Sequence, residues 1–155
     1  MEDEQVIEGT EARFWGTYEH SLDAKGRVIL PARFREPFRT GAFLTKLFDG
    51  CLALWTPTEF ERRTADMLEK ARRGASERNV ARVWAAGAWE VVPDGQGRIA
   101  VPPLLREYSR LDGDVVVNGV INHVELWNPA KWREVDAEGS QHLLSGQDAL
   151  ADMGF

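Results

Sequence analysis

Read for the spacing of its apolar positions, the chain shows one pattern twice. Phe14, Gly16 and Tyr18 alternate with their neighbours, and Trp89 and Val91 do so later, the period of two that marks a strand. Each run leads into an Asp-x-x-Gly turn, Asp23 to Gly26 or Asp94 to Gly97. The β-rich runs VILP and IAVP follow, stopped by Pro31 and Pro102, which have no N–H to offer a ladder. ARFREPF and PLLREYS then read as about two helical turns with proline near the start. Two further strands close each copy. In the first they are AFLTKLF and CLALW, joined by the hairpin signal Asp49-Gly50, and in the second DVVVNG and HVELW.

The correspondence is residue by residue. Asp23 pairs with Asp94, Gly26 with Gly97, Arg27 with Arg98, Pro31 with Pro102, Arg35 with Arg106 and Glu36 with Glu107. It extends outward to Gly16 and Gly87, and after a one-residue shift LWTPTEF matches LWNPAKW. Each copy is a β-turn-β, short helix, β-hairpin unit of roughly 45 residues, too small to be stable alone. Two copies in one chain are expected to pack face to face over a shared core. Between them Phe60, Met67, Leu68 and Ala71 fall at helical spacing, as do Val80, Val83 and Trp84, predicting two amphipathic bridging helices. The expected organisation is an acidic extension over 1–12, a first repeat over 13–60, bridging helices over 61–86 and a second repeat over 87–132. Residues 133–155 are expected to form a C-terminal helix or tail, with QHLLSGQDALADMGF a short helix or loose tail.

Composition narrows the class. The 155 residues are 43% hydrophobic and 28% charged, the balance of a globular domain. No stretch of apolar residues is long enough to span a bilayer, no export signal is visible and there is one cysteine, so a cytoplasmic protein without disulfides is expected. A net charge of −6 argues at first against nucleic acid. The charge is unevenly spread, however. Residues 1–12 carry −5, residues 13–55 carry +3, residues 56–86 carry +2, and residues 87–127 and 128–155 carry −3 each. An anionic partner should therefore meet the first half.

No catalytic constellation is present in the sequence. His20, His123 and His142 lack metal-ligand spacing, Cys51 begins an apolar strand and reads as a buried thiol, and the glycines of DGQGR do not complete a nucleotide loop. Trp55, Trp127 and Trp132 sit in the repeated LW-x-P pattern, where core packing is expected. Neither an enzyme nor a cofactor is expected. DAKGR supports two readings. In one, Asp23 accepts backbone N–H bonds, Gly26 takes a conformation other residues avoid, and Arg27 pairs with a carboxylate. In the other, Lys25 and Arg27 share a face and reach phosphate and a guanine edge, for which the planar arginine fork is suited. Copy two replaces Lys25 by Gln96 and Arg33 by Leu104, so the first copy is expected to meet DNA and the second mainly to hold the partner position.

The order F-x-G-x-Y-x-H-x-L-D-x-K-G-R-V-x-x-P-x-x-F-R over Phe14 to Arg35, then D-G-x-L-x-L-W-x-P-x-E-F, D-G-Q-G-R-I-x-V-P-x-x-L-R and G-V-I-N-H-V-E-L-W, resembles the MraZ family over about residues 13–135. The resemblance implies a mainly β fold with short helices, a duplicated swapped-hairpin β-barrel of the SpoVT/AbrB type, assembled into rings. It implies a nucleoid-associated transcriptional regulator, usually a repressor, that binds short direct repeats in double-stranded DNA upstream of the division and cell-wall genes, its own gene included. The DNA-facing motif would fall on Asp23, Lys25 and Arg27, with Arg13 and Arg33 adding DNA-binding charge; Asp94 and Gly97 keep the second turn, and Arg98 keeps the motif position, where a fold role or a secondary DNA contact is expected. A non-DNA-binding scaffold ring and an antitoxin-like regulator of the same superfamily are the alternatives.

Overall fold

A computed structural model of the protein describes residues 11–146 and 152–153. Most of the acidic extension and of the last nine residues lies outside the described residues. Among the described residues there are eight strands: β1 Thr17–Ser21, β2 Arg27–Ile29, β3 Ala42–Lys46, β4 Leu52–Trp55, β5 Trp89–Val91, β6 Arg98–Ala100, β7 Asp114–Gly119 and β8 Val124–Trp127. Four helices accompany them: α1 Pro57–Ala71, α2 Ala75–Ala86, α3 Pro103–Ser109 and α4 Pro129–Ser145.

The repeated LW-x-P motif shows how local sequence sets these boundaries. In each copy it ends a strand, supplies an N-cap and places proline at the first helical position, where a missing N–H costs nothing. Thr56 accepts a hydrogen bond from the Glu59 N–H, and Asn128 accepts from Ala130 and Lys131. The Asp49-Gly50 hairpin has φ of +62° and +81°, the left-handed pair such a turn requires.

The halves are interleaved. The large sheet is antiparallel, in the order β1-β7-β8-β4-β3-β5, so the first strand of each copy pairs with the other copy, β1 with β7 and β5 with β3. Strands β2 and β6 leave the sheet and pair with each other as a separate ribbon. One core results, filled alternately from both copies: Phe14, Val28, Leu30, Phe34, Phe38, Leu44 and Leu54 from the first, Ile99, Val101, Leu105, Val115, Val117 and Leu126 from the second. Phe14 stacks on Phe38 at 5.1 Å and meets Phe34 edge-on at 5.5 Å.

Three expectations need correction. The fold is mixed rather than mainly β, because three of its helices run 12 to 17 residues, and among the described residues the strands form an open sheet and a ribbon, with no closed barrel. The first copy's ARFREPF forms two 3-10 turns, Ala32–Phe34 and Glu36–Phe38, while PLLREYS forms the α-helix α3. Pro37 explains the difference: it removes an intrahelical donor where copy two has Tyr108. The C-terminal region begins as a 17-residue helix, not a short one.

Cys51 is buried beside Val116 and Trp127, and burial pushes its thiol far above the ordinary range, with Glu125 and Asp49 adding to the shift. Trp55 and Trp127 are buried, and Trp132 packs on Trp127 at 5.5 Å. His123 is buried too, between Asn122 and Glu125 and stacked on Trp55 at 4.6 Å, in a network that reaches α1 through the Asn122–Glu59 bond.

Candidate nucleic-acid interface

The ribbon carries the motif residues. Asp23 organises the first turn: its Oδ1 accepts from the Lys25 and Arg27 backbone N–H groups, both at 2.9 Å, and its Oδ2 accepts from Arg27 Nε at 2.8 Å. Asp94 does the same in the second turn, accepting from Gln96 N and Arg98 N at 2.9 Å and from Arg98 Nε at 2.8 Å. Gly26 and Gly97 lie at φ +76° and +83°. Three donors on one carboxylate favour its charged form. Asp23 is held below its ordinary value of 3.8, first by the Arg27 N–H. Asp94 is held at about 2, with the Arg98 N–H the largest cause.

The two readings of DAKGR are compatible. Each arginine uses Nε to hold the turn, which leaves its two terminal amino groups as a fork at the surface, with the side chain about 30% exposed. Ribbon register decides where the forks point. Val28 lies opposite Ile99, and both are fully buried. Side chains alternate across a strand, so Arg27, Ile29, Arg98 and Ala100 all lie on the outer face. Arg27 is opposite Ala100 and Arg98 opposite Ile29, a diagonal pair separated by about 7 to 8 Å at the backbone. The second motif therefore shares the outer face of the first.

Lys25 sits at one end of this face and Gln96 takes the equivalent place at the other. Arg33 follows β2 and donates to the Tyr18 hydroxyl at 3.2 Å. Arg13 is engaged elsewhere: it bonds Glu11 and the Ala12 carbonyl, and Glu11 also pairs with Arg62 of α1. None of these contacts involves the ribbon.

Two further arginines brace the turns across the repeat. Arg35 of copy one lies against Gly97, where an added Cβ would come within 2.7 Å of its Cζ, and Arg106 of copy two lies against Gly26 in the same way, at 2.8 Å. Arg35 also donates to the Leu30 carbonyl at 2.9 Å. Their pairing in the internal repeat was visible, but only the exchanged topology shows that each supports the opposite copy's turn.

These features define a class: a duplicated chain whose halves exchange strands and present a two-stranded ribbon with two turn-anchored arginines on one face. The family model described as "MraZ protein, putative antitoxin-like" matches this chain twice, over residues 13–83 and 84–152. The chain belongs to the MraZ family. Similar relatives, each named transcriptional regulator MraZ, include one from Nocardioides sp., 45% identical over 137 residues that are 87% of this chain and 93% of the relative. Another, from Acetivibrio thermocellus, is 38% identical over 142 residues, 92% of this chain and 99% of the relative. A third, from Mycolicibacterium gilvum, is 39% identical over 142 residues, 90% and 99% respectively. Among the described residues no helix is long and apolar enough to cross a membrane.

Proposed function

We propose that this protein is a sequence-specific DNA-binding transcriptional regulator whose ribbon enters the major groove. The observation that carries the reading is the placement of Arg27 and Arg98 on one face of a two-stranded ribbon, each fixed by an aspartate and each with its fork free. The major groove admits a two-stranded ribbon, and arginine is the side chain that pairs bidentately with guanine O6 and N7. The diagonal spacing of about 7 to 8 Å matches about two base-pair steps at 3.4 Å each. Lys25 and Arg33 supply phosphate contacts from the segment 13–55, which carries +3.

The regulator acts as a repressor at short direct repeats in double-stranded DNA upstream of the division and cell-wall genes, its own gene among them, in the cytoplasm at the nucleoid. Its fold is the swapped-hairpin type of the SpoVT/AbrB proteins, its repeats span 13–60 and 87–132, and it works as a homo-oligomeric ring. Each ribbon meets one repeat, with repeats spaced by about one helical turn of 10 to 10.5 base pairs. Individually weak contacts then add through effective concentration. The test is capture of genomic fragments by the purified protein at physiological salt, followed by footprinting. Protection of evenly spaced direct repeats is expected; failure to retain any fragment over random DNA would favour the scaffold reading instead.

A further inference from the structure

Two apolar surfaces have no partner among the described residues. The first is a groove between the α1–α2 helix pair and the β3–β4 hairpin, floored by Leu47, Phe48, Met67, Val80, Val83 and Trp84. Its cavity of about 350 Å³ adjoins a second of about 260 Å³ that shares Leu47, Phe48, Met67 and Trp84. Phe48 is 73% exposed and Val83 54%, unusual for side chains of that size clustered on one surface. Trp84 is only 6% exposed, yet its Nε1–H has no acceptor among the described residues. A buried donor left without a partner is costly, so the groove calls for an occupant that brings an oxygen acceptor. Lys46, Arg63 and Lys70 border it, with two acids, Asp66 paired to Arg63 and Glu125 bonded to His123.

The second surface is the far end of α4. Trp132 and Val135 pack that helix on the sheet beside Trp127, Cys51 and Leu47. Every residue from 136 to 146 is exposed, and a side chain added at Gly139 would meet nothing. A helix end exposed all round is marginal in water without tertiary packing. The apolar stripe nevertheless continues: at helical spacing from Trp132 and Val135 come Gly139 and Leu143, with Leu143 58% exposed and Leu144 83%. The segment from 134 to 146 carries Glu134, Asp136 and Glu138 and no lysine or arginine.

We infer that the groove of one copy receives the α4 end of a second copy, with Leu143 and Leu144 in the apolar floor. The occupant fits on three counts. Its leucines match the floor, and its acidic character matches the Lys46, Arg63 and Lys70 border. Its last-turn carbonyls, at the negative end of the helix dipole, supply the acceptor that Trp84 lacks among the described residues. The helix base is anchored to its own sheet and its end is exposed among the described residues, so the groove it fills belongs to a neighbour. Groove and helix end are different patches, and a head-to-tail contact of this kind closes into a ring when the rotation permits. The inference rests on the homo-oligomer reading above and adds the contact that would build it.

The experiment measures the mass of the full chain by light scattering during size-exclusion chromatography. It compares the wild type, a helix variant Leu143→Glu/Leu144→Glu, and two groove variants, Val83→Glu and Val80→Glu, all at exposed positions and each checked by circular dichroism and thermal melting. A multimeric wild type, loss of the multimer in the helix variant and in a folded groove variant, and a rise in mass when the two are mixed at high micromolar concentration are expected. Mixing restores one intact contact per pair, because one variant keeps its groove and the other its helix. A multimeric wild type whose mass survives both kinds of substitution would overturn this contact while leaving the oligomer standing. Variants that stay monomeric after mixing would overturn the head-to-tail geometry. A monomeric wild type would overturn the contact and the oligomer together.

Discussion

Replacing Arg98 by alanine separates a DNA face shared by both motifs from one carried by the first alone. Arg98 is diagonal to Arg27 on the outer face of the ribbon and is held by Asp94 as Arg27 is held by Asp23. Each substitution removes one fork, and a bidentate pair with guanine discriminates by about 1 to 3 kcal/mol, roughly 5- to 150-fold in affinity. The arginines are about 7 to 8 Å apart with separate anchors, so the two losses should add within about 0.5 kcal/mol in the double variant. Fold stability should barely move, since partly exposed ion pairs such as Arg98–Asp94 add little to stability. The assay is fluorescence anisotropy on a duplex bearing a single repeat, which removes the avidity of multiple contacts, with melting curves and mass as controls. Both single variants should lose affinity for the specific duplex while binding random DNA much as before. Arg98→Ala protein that is folded and assembled, yet binds the single repeat within twofold of the wild type, would refute the shared face.

Lys25→Ala should weaken binding evenly across sequences and lower the salt slope by about 0.9 per lost phosphate contact, whereas Gln96→Lys should raise it; titration of the anisotropy signal against salt reads both. Gly97→Ala forces a side chain into φ +83° against Arg35, and the left-handed conformation alone costs about 1 to 2 kcal/mol, so the melting temperature should fall by several degrees, more if Arg35 is displaced. The Asp94 carboxyl has a folded pKa of about 2 against an ordinary 3.8, so its contribution is present above the ordinary value and is lost as pH falls through the folded one. Carbon NMR of that carboxyl should titrate near 2, and Asp94→Asn should flatten the stability profile between those two values.

Local chemistry determined much of this protein. The duplication, the strand segments and the turns built on Asp23 and Asp94 could be read directly, because each depends on a few neighbouring residues. The two 3-10 turns in copy one were missed, although their cause, Pro37, is local. Tertiary structure alone decided which strands pair. A period of two marks a strand without naming its partner, so nothing local could show that β2 pairs with β6 across 71 positions of the repeat offset. That pairing put Arg27 and Arg98 on one face and turned Arg35 and Arg106 into braces for each other's turns. Partner choice depends on long-range packing of a core drawn from both copies, and the whole chain has to fold before it is settled.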